Sequence, residues 1–367
     1  MNHSPQTLFN RCALILSGMI MLGSVLLTQS QSPARPGQSR NTVDSVTLPN
    51  VHASQNEQKT AVQQSRADFA QNPLDELTRT PDDIKGLMLA AQKNAASEKK
   101  DGDIVERQYG KKSSNAAVGK LLIRNNTDTQ KSLDFKALLE AGADLHAPDK
   151  TKPAVLIFHT HTTEAYELLN RGWYAQGYVT RSKSSDRNMV RIGMEIADQL
   201  KQAGYQVIHD QEIHDLKYTG AYAHSRVNVE KYLKQYPSIQ IVLDIHRDAI
   251  EQENGVRIKP TVEIMGKKAA QMMIITGCQE GKIKNFPEWK YNLRFALQLQ
   301  NVMENKYPGL MRPIYFCERQ YNMDCSRNNL LIEVGSSSNT LEEAAYSGRL
   351  LGKGLAALLE HAPEPKE

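Results

Sequence analysis

The sequence predicts an α/β domain built on a mostly parallel sheet flanked by helices. Three observations predict it. Apolar runs at 154–158, 241–245 and 330–332 are too short for helices and read as buried strands. Segments with apolar residues at helical spacing lie between them, and such alternation of strand and helix is the mark of a parallel sheet. Each run also ends in a His or a Glu. In open α/β sheets, chemistry collects just past the carboxyl ends of the strands.

The N-terminal part reads differently. Residues 1–12 contain one charged side chain, Arg11, and 13–27 are uncharged and apolar. That run is short of the about 20 residues a membrane span needs, but no small-x-small cleavage site follows it. The run reads as a signal-peptide core or as an uncleaved anchor, and the second is preferred, with a cytoplasmic tail over 1–12 and the membrane anchor over 13–28. Arg11 before the run and few positive charges after it leave the rest of the chain outside. Residues 29–115 read as an extracytoplasmic linker, at first rich in Gln, Ser, Asn and Pro with no sustained period. Within it, Leu74, Leu77, Ile84, Leu87, Met88 and Leu89 form a partial helical stripe, and Thr80-Pro81-Asp82-Asp83 starts a short helix. The polar stretch 96–115 is read as linker.

The folded domain runs over 116–362. Its first elements are a strand at 121–124, a helix at 134–141 and the strand 154–158. A polar loop over 159–187 holds Trp173, Tyr174 and Tyr178, and a loop of that length usually serves function. An amphipathic helix at 189–203 buries Val190, Ile192, Ile196, Ala197 and Leu200, and Gly204 stops it. Then come a strand at 206–208, a helix at 222–236 and the strand 240–245. A pair of strands, 262–265 and 272–276, leads to a helix at 289–306, the strand 330–332 and a closing helix at 340–359.

The formal net charge is +4, with Lys and Arg scattered and no basic run interleaved with aromatics, which argues against nucleic-acid binding. Four cysteines carry no CxxC spacing, so cysteine-bound zinc is not expected. Cys12 precedes the apolar run, where a lipobox cysteine would follow it. Cys317 and Cys325 are close enough in sequence to meet across a loop, and outside the membrane a disulfide between them is permitted.

The polar residues at the strand ends carry the chemistry. His159, His161 and Glu164 follow the first run, His246-Arg247-Asp248 the second, and Glu333 the third. Any one of these alone reads equally as a rim residue bonded to backbone. Together they suggest one metal centre with a catalytic carboxylate, since two imidazoles and a carboxylate with an open position are the pattern of hydrolytic zinc. His209 and His214, among Asp210, Glu212 and Asp215, offer donors for a second ion, though that segment also reads as a strand end running into a surface loop.

Seven ordered segments resemble the stage II sporulation protein P family over about two thirds of the chain. They are HTHTTEAY (159–166), DRNMVRIG (186–193), HDQEIHD (209–215), YTGAYAHSR (218–226), DIHRDAI (244–250), PEWKYNLRFALQLQ (287–300) and LLIEVGSSSNTLEEA (330–344). The resemblance implies a zinc-dependent peptidoglycan hydrolase of endospore formers. Such an enzyme cuts the N-acetylmuramoyl–L-alanine amide bond and is also credited with endopeptidase activity on crosslinks. It implies a fold similar to zinc-dependent cell-wall amidases, a single-pass location at the sporulation septum, and work beside stage II sporulation proteins D and M during engulfment. Carried onto this chain, it makes His161 and His246 zinc ligands and Glu333 the catalytic carboxylate. Glu164 is the preferred second ligand and Asp186 the alternative. His159 is a ligand in place of His161 or a substrate-orienting group. Arg247 holds a stem-peptide carboxylate or pairs with Asp244 or Asp248. Tyr218, Tyr222 and Arg226 line a glycan groove or pack under a loop. The competing function is a membrane-tethered module that binds wall without cutting it.

Overall fold

A computed structural model describes residues 73–365. In chain order its elements are α1 (Pro73–Thr78), α2 (Asp82–Ala95), β1 (Lys100–Arg107), β2 (Ala116–Val118), β3 (Leu121–Asn126), α3 (Phe135–Glu140), β4 (Pro153–Phe158) and β5 (Trp173–Ala175). There follow α4 (Met189–Gln202), β6 (Gln206–His209), α5 (Ala221–Gln235), β7 (Ile241–Asp248), β8 (Arg257–Ile264), β9 (Lys267–Ala270), β10 (Met272–Gly277) and α6 (Trp289–Lys306). The chain closes with β11 (Ile314–Cys317), β12 (Asn329–Ser336) and α7 (Leu341–Glu360).

Eight strands form the main sheet in the order β2-β3-β11-β10-β12-β7-β4-β6. Its neighbours are parallel except β2/β3 and β10/β12. The three strands whose ends carry His or Glu, β4, β7 and β12, are adjacent and parallel. Their polar ends therefore come out side by side.

The pleat sorts the side chains of these strands onto two faces. Val155, Ile157, Leu243, Ile245, Ile332 and Val334 share one face and pack with Ile192, Ile196 and Leu200 of α4, Leu293 and Leu297 of α6, and Leu351 and Leu355 of α7. Leu156, Phe158 and Val242 lie on the other, under Val229 of α5. Asp244, His246 and Glu333 fall in phase with that second, less covered face, where Leu331 pairs with Asp244 and Glu333 with His246. Helix ends are locally specified. Asn188 caps α4 by accepting from the Val190 N–H, and Thr340 and Glu343 form a reciprocal capping box on α7. α4 and α7 cross closely at Gly352, where a Cβ would sit 2.7 Å from both the Ile196 carbonyl oxygen and the Gln199 Cβ.

Several expectations are corrected. The stretch 96–115 is not only linker, because β1 lies within it, parallel to β8 and antiparallel to β5, in a second sheet ordered β5-β1-β8-β9. Ile104 is the single buried residue of β1, so no alternation marks the strand in sequence. The helix of the expected linker, α2, buries Ile84 in the main core. The strand expected at 262–265 is the end of the longer β8, and β9 and β11 were not foreseen. Cys278, Cys317 and Cys325 are free thiols. Cys317 packs with Ile275 and Leu331, while Cys325 packs on the separate Leu156–Phe158–Val242 cluster, so the two do not bridge. Among the described residues no helix is long and apolar enough to cross a membrane, and the anchor expected at 13–28 lies outside them.

Candidate active site

The turn leaving β4 is built around Asp244 of the neighbouring strand. The Thr160 N–H donates to Asp244 Oδ1 at 2.8 Å and its hydroxyl to Oδ2 at 2.7 Å. Thr162 Oγ1 donates to the His159 carbonyl at 2.7 Å, and the Glu164 N–H closes onto the His161 carbonyl at 3.0 Å. This tight turn delivers His161 and Glu164 beside His246. The rings of His161 and His246 meet edge to face, centroids 5.2 Å apart. His246 Nδ1 is 3.7 Å from Glu164 Oε2, and Nε2 is 2.7 Å from Asp244 Oδ1, though off the line of a well-directed hydrogen bond. Glu333 stands in register with His246 on the next strand. His161, Glu164, His246 and Glu333 are thus brought together from three strand ends.

His159 is not part of this group, which corrects its candidacy. It is in phase with Val155 and Ile157, so the pleat turns it to the helical face. There its Nδ1–H donates to the Ile245 carbonyl at 3.0 Å, and its Nε2 takes a hydrogen bond from His209 Nε2 at 2.9 Å. Burial pushes His159 down to about 4 and, with His159 beside it, His209 to about 3, so the pair is neutral. Gly193 of α4 sits on these rings. A Cβ there would fall 2.3 Å from His209 Nε2 and 2.6 Å from His159 Nε2. Gly193→Ala is therefore expected to destabilise the fold by about 1–3 kcal/mol despite alanine's better helix propensity, read as a lower urea midpoint.

Asp186 is also corrected. Its carboxylate forms a bidentate pair with its neighbour Arg187, at 2.9 and 3.1 Å, and is not joined to His161 or His246. Arg247 does not present its guanidinium for a substrate carboxylate. It is buried, with Nε donating to the Ala165 carbonyl at 3.0 Å and Nη2 to the Thr180 carbonyl at 2.8 Å. It staples the 159–187 loop to β7, and its backbone N–H donates to Glu164 Oε2 at 3.2 Å. Arg247→Met should cost about 1.5–3 kcal/mol for each charged hydrogen bond removed. Limited proteolysis should then find new cuts near residue 180.

The electrostatics of the site follow from burial and crowding of charge. Burial disfavours the charged form of His246, but Asp244, Glu164 and Glu333 outweigh it and push the imidazole up to about 9. Burial opposes ionised Asp244, yet His246 and the Thr160 hydrogen bonds keep its carboxyl low. His161 is lowered by burial and by His246. Burial, reinforced by Asp248 and Glu164, pushes Glu333 up to about 8 against the pull of His246 and Arg312. Three atoms of the site lack a hydrogen-bond partner, His246 Nε2 among them. His161 Nδ1 is sealed from solvent with no hydrogen-bond partner, and so is Glu333 Oε2, although Glu333 keeps some exposed surface. Buried polar atoms are seldom left unpaired. A lone imidazole nitrogen, a second imidazole and a buried carboxylate make one crowded group of the donor types that a divalent cation takes, although among the described residues the three side chains whose donor atoms already lie within 4.8 Å of one another are Glu212, His214 and His224.

Sequence reasoning left Asp244 and Asp215 without a role here. Asp215 Oδ2 lies 4.0 Å from His161 Nδ1 and holds Arg181 at 2.6 Å. An aromatic wall completes the site. Tyr218 stacks on His161 at 4.8 Å, and Tyr222 meets His161 edge-on at 5.6 Å and stacks on Tyr321 at 5.2 Å. Asp244 was legible, being in phase with His246 one turn of the pleat earlier. Asp215 was not, since no local pattern ties it to His161.

Two sequence comparisons agree on one family. A family model described as stage II sporulation protein P matches residues 40–356. Stage II sporulation protein P of Bacillus subtilis (strain 168) is 31% identical over 204 residues, which make up 52% of this chain and 47% of that protein. The match thus spans about half the length of that relative. Among solved structures, an N-acetylmuramoyl-L-alanine amidase of Nostoc punctiforme is similar with a TM-score of 0.33 and 12% identity, over 56% of this chain and 96% of that one. The CwlD amidase of Clostridioides difficile, solved with the GerS lipoprotein, is similar with a TM-score of 0.36 and 11% identity, over 56% and 98% of the respective chains.

Proposed function

Because the chain belongs to the stage II sporulation protein P family, we propose that it is a zinc-dependent peptidoglycan hydrolase that cleaves the N-acetylmuramoyl–L-alanine amide bond. The observation that carries the reading is the convergence of His161, Glu164 and His246 at adjacent parallel strand ends, with the unpartnered Glu333 Oε2 beside them. His161, Glu164 and His246 would hold the ion. A zinc ion in such a setting supplies Lewis acidity, lowering the pKa of a water to about 7 and polarising a carbonyl. Glu333 takes a proton from the attacking water and delivers it to the L-alanine nitrogen as the amide C–N bond breaks. Its raised proton affinity suits both transfers. Glu164 is held in place by the Arg247 N–H, and Asp244 orients His246. The tyrosine wall around His161 offers flat faces for a sugar ring or stem peptide. Crosslink cleavage would use the same centre, and an anchor at 13–28 would hold the domain at the septal membrane. Glycan stripped of peptide is the product that stage II sporulation protein D, with protein M, would receive.

The test uses the full chain and purified peptidoglycan. New free L-alanine amino groups should appear while glycan strand length stays constant. A chelator should stop the release and added zinc should restore it. Co-sedimentation with wall and no new amines would instead identify a binding module.

A further inference from the structure

A second cluster of ligating side chains lies apart from the His161–Glu164–His246 centre. Glu212, His214 and His224 each offer a donor atom within 4.8 Å of the other two. His214 is buried, while Glu212 and His224 are half exposed. His214 Nε2 lies 3.0 Å from Asp210 Oδ2. Asn228 Nδ2 donates to the same Asp210 oxygen at 2.9 Å. An ionised carboxylate only accepts, so the proton of a neutral His214 is on Nε2. Its Nδ1 then carries a lone pair, and that atom points at His224 Nδ1 from 3.3 Å. His224 Nε2 lies 3.5 Å from Glu212 Oε1 and Asn228 Nδ2 donates to Glu212 Oε2 at 2.8 Å, so the half-exposed Glu212 joins an ion at the two Nδ1 atoms by turning from these partners.

When each carries its proton on Nε2, two imidazoles so oriented turn two lone pairs toward each other, which is unfavourable with nothing between them. A tetrahedral ion with Zn–N bonds of about 2.0–2.1 Å sets its nitrogen ligands roughly 3.3 Å apart. Carboxylate backing of a ligand imidazole, as Asp210 backs His214, is the usual support for such a ligand. We propose that Glu212, His214 and His224 bind a second divalent cation, and that zinc, which suits imidazole with carboxylate, is the best fit.

The ion would tie the strand-end segment carrying Glu212 and His214 to the first turns of α5. Between those ligands lie Asp215, Tyr218 and Tyr222, which face His161. Gly220 sits in the same stretch at φ 92°, and Tyr218 is half exposed. Clamping this segment would hold the aromatic wall of the site in place. The binding claim stands on its own geometry; only the effect on the wall rests on the catalytic reading.

Metal-stripped full chain, titrated with zinc and counted by elemental analysis, tests the site. Wild type should take up two ions per chain, His246→Ala one, His224→Ala one, and the double variant none. Glu212→Gln in the His246→Ala background should weaken the remaining zinc by about 10–100-fold, as disturbance of a metal shell does. His224 is half exposed, so His224→Ala should melt like wild type when both are metal-free. One ion in wild type and none in His246→Ala would overturn the proposal, leaving His214 and His224 a hydrogen-bonded pair. A remaining ion in the double variant would overturn it too, by placing the metal elsewhere. If the catalytic centre itself took no zinc, wild type and His246→Ala would each hold one ion and His224→Ala none, and the second site would stand.

Discussion

Glu333→Gln is expected to keep its zinc and to lose wall-amide hydrolysis by about 10²–10⁴-fold, the usual contribution of a general acid–base group. Gln matches Glu in shape, so the fit between β7 and β12 is preserved. It cannot accept the water proton. Glu333 is suited to the role because burial, with Asp248 and Glu164 nearby, raises its affinity for a proton to about 8. Its Oε2 is committed to no other hydrogen bond. Zinc content and amide hydrolysis are to be measured on the same sample. Loss of zinc would make Glu333 a ligand and displace Glu164 from that role. Zinc and activity both near normal would require a different base, and Glu164 is the carboxylate next in line.

His246→Ala should lose the ion of the catalytic centre and with it all zinc-dependent hydrolysis. It should also destabilise the metal-free chain. His246 is the positive partner of a buried carboxylate, and removing it strands Asp244 between β4 and β12. Breaking a buried pair from one side costs about 3–5 kcal/mol. The lower end is expected here, because the Thr160 N–H and hydroxyl still donate to Asp244. Urea unfolding of both proteins without metal separates this from the stabilisation that a bound ion confers. An unchanged midpoint together with full zinc occupancy would remove His246 from the centre.

Both variants probe residues that stand out in the amino-acid sequence itself. His246 and Glu333 each end a short apolar run, and such a run announces a buried strand by composition alone. Parity within the run could have gone further. His159 shares the phase of Val155 and Ile157, which already points it at the core face, whereas Asp244 shares the phase of His246. The helices were legible for a similar reason. The 3.6-residue stripe is a property of neighbouring residues, and α4 and α6 begin where it places them. β1 escaped because its one buried residue, Ile104, leaves no period, and its partners β5 and β8 lie far along the chain.

Short-range pattern therefore suffices for the α/β class, for the strands that end in ligating residues and for the family the chain belongs to. These depend on the local order of apolar and polar residues and on ordered motifs. Three-dimensional packing was needed to make β4, β7 and β12 neighbours, to bring His161 rather than His159 to His246, and to consume Arg247 at the Ala165 and Thr180 carbonyls. Packing also makes Tyr218 and Tyr222 wall the site and His214 meet His224. Hydrogen bonds and ring contacts act over a few ångströms. Strand order and the direction of each side chain settle which groups come that close, and neither is written in any short stretch of the chain.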